Sequence, residues 1–203
     1  MSRKWTILDT WDPDDLSLLA GTFFNLGLTA FRMGRHEEAL RYFRKVIEIE
    51  PDDAETLCLI GQTHDKLGNY TAAERSLRRS LELNPFDART HYDLGNLFLK
   101  IEGKRKDAKR LFEQAIELDP EYVWPHYCLG CWYALRGRKS KAFESLERAL
   151  EKGFWNREWI EADKDLESLR ADPRFAKLMR KYFGEGAAEA FFQAEDVADG
   201  GGD

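Results

Sequence analysis

Apolar residues recur at three- and four-residue steps through most of the chain, in runs broken first by a glycine and then by a proline. Four segments repeat one order: FFNLGLTAFRMGRHEEALRYFRKVIEIEP, LCLIGQTHDKLGNYTAAERSLRRSLELNP, HYDLGNLFLKIEGKRKDAKRLFEQAIELDP and HYCLGCWYALRGRKSKAFESLERALEKGF. Each opens with an apolar residue and a glycine: Leu26-Gly27, Ile60-Gly61, Leu94-Gly95 and Leu129-Gly130. An alanine follows about twelve residues on, at Ala39, Ala73, Ala108 and Ala142. Gly27, Gly61 and Gly95 stand 34 residues apart, and Gly130 follows after 35. That step belongs to helices rather than strands, and the glycine-containing break splits each segment into two runs. Each segment therefore predicts a helix hairpin. The small residue of the first helix and the alanine of the second let two backbones approach closely. Pro51, Pro85 and Pro120 end the second helix of the first three. One hairpin buries too little apolar surface to stand alone, so neighbours must stack.

These residues resemble the tetratricopeptide repeat family over about residues 20–156. The resemblance implies an all-α fold, a right-handed α-solenoid of about four helix hairpins with a C-terminal capping helix pair. The repeats fall at about 20–53, 54–87, 88–122 and 123–156. Asp12-Pro13-Asp14-Asp15 predicts an N-cap, a first-turn proline and an acidic first turn. The first helix should start near Pro13, about two turns before its counterparts, with residues 1–19 forming an arm and that helix start. Trp5, Ile7, Leu8 and Trp11 of the arm are expected to pack on it. Repeat 3 gains a residue in its turn, and repeat 4 closes on Gly153-Phe154 instead of proline. Residues 157–183 resemble the short-helix, long-helix ending of bacterial arrays, with Trp155, Trp159, Phe175, Leu178 and Tyr182 as the expected cap core.

In this family the residues around the small position of each first helix face a concave groove. Carried onto this chain, the stripe holds Phe24, Asn25, Leu28 and Phe31, then Cys58, Leu59, Gln62 and Asp65. Repeats 3 and 4 add Tyr92, Asp93, Asn96 and Leu99, then Trp124, Tyr127, Cys128 and Cys131. Aromatic and small apolar groups with a few amides suit an extended peptide or amphipathic helix of a partner protein. Tyr92 and Tyr127 are the expected anchors. One subclass of the family clamps acidic C-termini with lysine, asparagine and arginine. Here those positions hold Phe24, Leu28, Leu59, Arg89 and Asp93, which argues against a chaperone-type clamp.

Charge refines the picture without changing it. The net charge of −6 sits wholly in residues 184–203, an acidic, glycine-rich tail with Ala187, Ala190, Phe191, Ala194 and Ala198 at helical spacing; the remainder balances 31 basic against 31 acidic residues. On gross charge the body is therefore not a nucleic-acid binder, and only a local basic surface could be. Basic residues gather in the hairpin turns, giving a candidate docking edge of Lys100, Lys104, Arg105, Lys106, Arg136, Arg138, Lys139 and Lys141. Junctions between repeats are acidic. A self-assembling scaffold that joins this edge to the tail of another copy is the alternative to a partner-binding module.

The candidate chemistry is sparse. Cys128 and Cys131 form a C-x-x-C within the first helix of repeat 4, and Cys58 is the third cysteine. A zinc site needs about four ligands, and His64, His91 and His126 fall at packing positions. A redox pair wants a helix N-terminus beside a strand. A metal or thiol-redox protein is thus the second alternative, behind small groove-lining side chains. No phosphate-cradling loop, nucleophile elbow or paired carboxylate is present, so neither a catalytic residue nor a cofactor is expected. With no secretory leader and no uncharged run long enough to span a bilayer, the chain reads as soluble and cytoplasmic.

Overall fold

The structure, a computed structural model, describes residues 12–184. The arm of Trp5, Ile7, Leu8 and Trp11 and the acidic tail lie outside the described residues. Every regular element among the described residues is helical. Successive pairs are α1 (Pro13–Arg32) and α2 (His36–Ile49), α3 (Ala54–Lys66) and α4 (Tyr70–Leu83), α5 (Ala88–Lys100) and α6 (Arg105–Leu118), α7 (Val123–Ala134) and α8 (Lys139–Glu151). A capping segment follows: α9 (Arg157–Ala162), a 3-10 turn over Lys164–Leu166, α10 (Glu167–Arg170) and α11 (Pro173–Phe183). The described residues divide into two compact units, one up to Leu111 and one from Phe112 onward.

Local chemistry sets the helix limits. Asp12 accepts a hydrogen bond from the Asp14 amide at 2.9 Å, and Pro13 follows at the first helical position. Asp53 and Asp87 cap α3 and α5 in the same way. Each cap satisfies backbone donors that the helix leaves without partners. At the other end, Gly34, Gly68, Gly103 and Gly137 turn each hairpin with φ between 66 and 80°, a region that side chains with a Cβ adopt at a cost.

The close approach expected of the small residues is visible in both units. A Cβ built on Gly27 would lie 2.5 Å from Phe43, and one on Gly61 would lie 2.6 Å from Leu77 and 3.3 Å from the Ala73 carbonyl. On Gly130 it would lie 2.8 Å from Leu146 and 3.5 Å from the Ala142 carbonyl. Ala39, Ala73 and Ala142 have no exposed surface.

In residues 1–111, Ala30, Ala39, Leu40, Phe43, Leu59 and Ile60 form a core, with Phe24, Leu28 and Phe31 packed against it. In residues 112–203, the capping segment buries Phe154, Ile160, Leu166, Leu169, Phe175, Leu178 and Met179. Trp155 and Trp159 correct the expected cap core: they are 63% and 53% exposed. Trp155 meets Tyr182 and Phe183 by ring edges, and Trp159 meets Trp124.

Candidate functional site

The residues expected in the groove separate into three groups. Phe24, Leu28 and Phe31 of α1 and Leu59 of α3 spend their apolar surface largely on the first core. Phe24 meets the Phe43 ring edge-on at 6.3 Å, and Phe31 meets His36 at 5.4 Å. Asn25 is exposed on α1, while Tyr92, Asn96 and Leu99 are half-buried on α5. Asp65 near the end of α3 binds Lys100 at 2.6 Å.

The second group forms a depression of about 260 Å³ between α3 and α5. Ala54, Glu55, Cys58, Leu59 and Gln62 line it from α3, and Asn84, Asp87 and Arg89 from the α4–α5 junction. The α3 residues share one helical face because positions four apart are neighbours. That rule would have found Ala54 and Glu55, one turn before Cys58 and Leu59, neither of which was among the expected site residues. Beside the depression lies Asp93. Its Oδ2 accepts from Gln62 Nε2 at 2.6 Å and from the Cys58 thiol at 3.5 Å, and Arg89 stands 4.0 Å away. Only 17% of the Asp93 side chain is exposed. Burial pushes its carboxyl up to about 6, against the opposing pull of Gln62 and Arg89.

The third group corrects the expectation for repeat 4. Tyr127 is 4% exposed, stacks on Phe154 at 4.4 Å, and donates its hydroxyl to Asp163 at 2.6 Å. Cys131 is buried as well and donates to the same oxygen at 3.5 Å. Trp124 keeps a partly exposed ring, edge-on to Phe154 and Trp159, and Cys128 is half-buried. The capping segment therefore occupies the face on which Tyr127 was expected to anchor a partner. The signal was in the sequence: VWPHYCLGCWYA is apolar around its whole circumference, the mark of a helix buried on all sides.

The basic edge is largely engaged within the chain. Lys104 binds Glu74 and lies over the Phe98 ring. Arg136 stacks on Trp132 at 3.6 Å and Lys141 lies over Tyr133 at 5.6 Å. Lys139 stands 4.0 Å from Asp172, and Arg105 donates to the Leu99 carbonyl at 3.4 Å. Lys106 and Arg138 are exposed.

Models of the tetratricopeptide repeat match residues 18–85 and 88–122, together just over half of the chain. The chain belongs to the tetratricopeptide repeat family. Solved structures share its fold. MamA from residue 41 to its end, of Desulfovibrio magneticus RS-1, is 23% identical over 89% of this chain and 97% of its own, with a TM-score of 0.62. The thermophilic tetratricopeptide protein TTC0263 of Thermus thermophilus is 23% identical over 91% and 93%, with a TM-score of 0.63. YrrB, described as a tetratricopeptide protein with an unusual peptide-binding site, is 16% identical over 86% and 90%, with a TM-score of 0.61. No curated protein sequence matches the chain.

Membership makes this tetratricopeptide chain a protein-interaction module in broad class. No helix among the described residues is long and apolar enough to cross a membrane. Cys58 and Cys131 are poor nucleophiles. Burial and then Asp93 push the Cys58 thiol up to about 12, and burial and Asp163 push Cys131 in the same direction. The thiolate, which does the chemistry, is thereby suppressed. Among the described residues no three His, Cys, Asp or Glu side chains stand together as metal ligands.

Asp93 carries a testable consequence. A carboxyl raised in the folded state binds its proton more tightly there than in the unfolded chain. Protonation therefore stabilises the fold as pH falls through about 6, and ionisation costs stability above it. Asparagine reproduces the neutral form: its oxygen can still accept from Gln62. Asp93→Asn should be more stable than wild type by about 2–3 kcal/mol at pH 8, taking ~1.4 kcal/mol per pKa unit. The gap should close between pH 6 and pH 4. Urea unfolding of both proteins across that range checks it, and a gap that is constant with pH would remove the buried-charge account.

Proposed function

We propose that this chain is a non-enzymatic adaptor or scaffold that binds a segment of a partner protein against the α3–α5 face. The depression of about 260 Å³ supports this reading. It has an apolar wall of Ala54, Cys58 and Leu59 and a polar rim of Glu55, Gln62 and Arg89. Such a combination gives an extended peptide both burial and fixed hydrogen-bonding groups. Tyr92 and Asn96 on α5, both half-buried, extend the candidate surface. The peptide-binding site named for YrrB favours a peptide as the class of occupant.

Gln62→Trp tests the reading. A bulky neutral side chain at Gln62 fills the depression from α3 and introduces no charged group. Circular dichroism should show the helical content of wild type, and pull-downs from native lysate, read by mass spectrometry, should lose at least one abundant partner. Identical captured sets from the two folded baits would sink the proposal.

A further inference from the structure

We propose that the α3–α5 depression takes a lysine or arginine side chain of the partner segment, its head held by Glu55, Asp93 and the Gln62 side-chain oxygen. The inference rests on the partner-binding reading above and names the chemistry that the site selects.

The first support is the orientation of Gln62. A carboxylate only accepts hydrogen bonds, so the amide group 2.6 Å from Asp93 must be the nitrogen. The same nitrogen lies 3.6 Å from Cys58 Sγ. The side-chain oxygen of Gln62 is thereby left as a fixed acceptor that receives nothing within the described residues. Oδ1 of Asp93 likewise accepts no hydrogen bond within the described residues and keeps access to solvent. The Glu55 carboxylate pairs with no cation among the described residues. Three acceptors without donors therefore stand around one depression.

The second support is charge. Glu55 and Asp87 line the depression, Asp87 as the cap of α5, while Asp53, the cap of α3, and Asp93, bonded to Gln62, stand beside it. Helix N-termini favour anions, so their contribution has to be set against these groups. Each carries about half a positive charge. The two N-termini together offset one carboxylate and Arg89 offsets another, leaving about two net negative charges. Arg79, the nearby cation of α4, is already shared by Asp52 and Glu82 at 2.9 and 3.1 Å. Arg89 does not fill the site: it is 62% exposed and reaches Asp93 only at 4.0 Å.

The third support is shape. Lysine and arginine lay an apolar stem along one surface and present a charged head beyond it. Ala54, Cys58 and Leu59 offer an apolar wall for the stem, and Glu55 and Gln62 share the same lining. A carboxylate-bearing segment would meet Glu55 and Asp87 in the lining and Asp93 beside it, and a wholly apolar one would bury acceptors without partners, which costs more than the apolar contact returns.

The probe is a library of random 12-residue peptides displayed on phage and selected against the full chain. Recovered peptides are then synthesised with a fluorescent label and titrated by anisotropy. Binders should share a lysine or arginine whose replacement by methionine weakens binding at least tenfold to wild type, but less than twofold to the Asp93→Asn/Glu55→Gln variant. Their affinity should also fall as salt rises from 50 to 500 mM, since screening acts on the charge pairs. Binders lost from Gln62→Trp but indifferent to their basic residues overturn this inference and leave the partner-binding reading standing. Binders that Gln62→Trp retains, or a selection that yields none, overturn both.

Discussion

Replacing Phe43 by alanine lowers the unfolding free energy by about 3–5 kcal/mol, the range for a large aromatic removed from a packed core. Phe43 has no exposed surface and fills the space opposite Gly27, where the first hairpin closes. Phe24 packs against its ring by an edge, and Ala39, Leu40, Leu59 and Ile60 complete the shell. The cavity cannot collapse readily, because Ala30 and Ala39 already hold α1 and α2 close and neither can extend into the gap. Denaturant titration followed by far-ultraviolet circular dichroism should show the midpoint falling with the slope unchanged. A loss below 1 kcal/mol would mean that the hairpin is not a packed core. The reciprocal change, Gly27→Ala, shows why a glycine is used. Alanine gains about 1 kcal/mol of helix propensity, but its methyl would enter the Phe43 ring, and overpacking of that kind costs about 1–3 kcal/mol.

The pairing of Gly27 with Phe43 also shows what the sequence makes legible. Two residues 16 apart, one small and one large, recur at Gly61 and Leu77 and at Gly130 and Leu146, so the hairpin closes on a local pattern. Helix starts were equally local, since Asp12, Asp53 and Asp87 bond to amides two or three residues ahead. The candidate site was less legible because its contacts join different repeats. Cys58 and Asp93 stand 35 residues apart, as do Asp65 and Lys100, and Glu74 and Lys104 stand 30 apart. A cation counted along its own turn looks free for docking until its partner one repeat away is placed. Repeat period alone could have supplied that step for Lys100 and Asp65. It could not have supplied the exposure of Trp155 and Trp159, because the short elements after Phe154 follow no repeat.

Phe154→Ala should lower the stability of the second unit by about 3–5 kcal/mol and uncover the face of α7. Phe154 is 5% exposed, lies flat against Tyr127 at 4.4 Å, and receives the Trp124 ring edge at 5.2 Å. It stands where the other repeats have a proline, and Gly153, with φ of 97°, turns the chain so that the ring points back onto α7. Aromatic pairs of this kind add about 0.5–1.5 kcal/mol beyond their burial, so two of them place the loss at the upper end of the range. Losing the ring also loosens the segment that brings Asp163 to the Tyr127 hydroxyl and the Cys131 thiol. Three signals should therefore move together: a lower unfolding midpoint, a red shift in tryptophan emission as Trp124 and Trp159 gain water, and faster labelling of Cys131 by a neutral thiol reagent. Destabilisation with Cys131 still protected would mean that the cap holds by its own core of Ile160, Leu166 and Leu169, and that Phe154 only fills space. Destabilisation with rapid labelling would identify Phe154 as the residue that keeps the last repeat closed to partners.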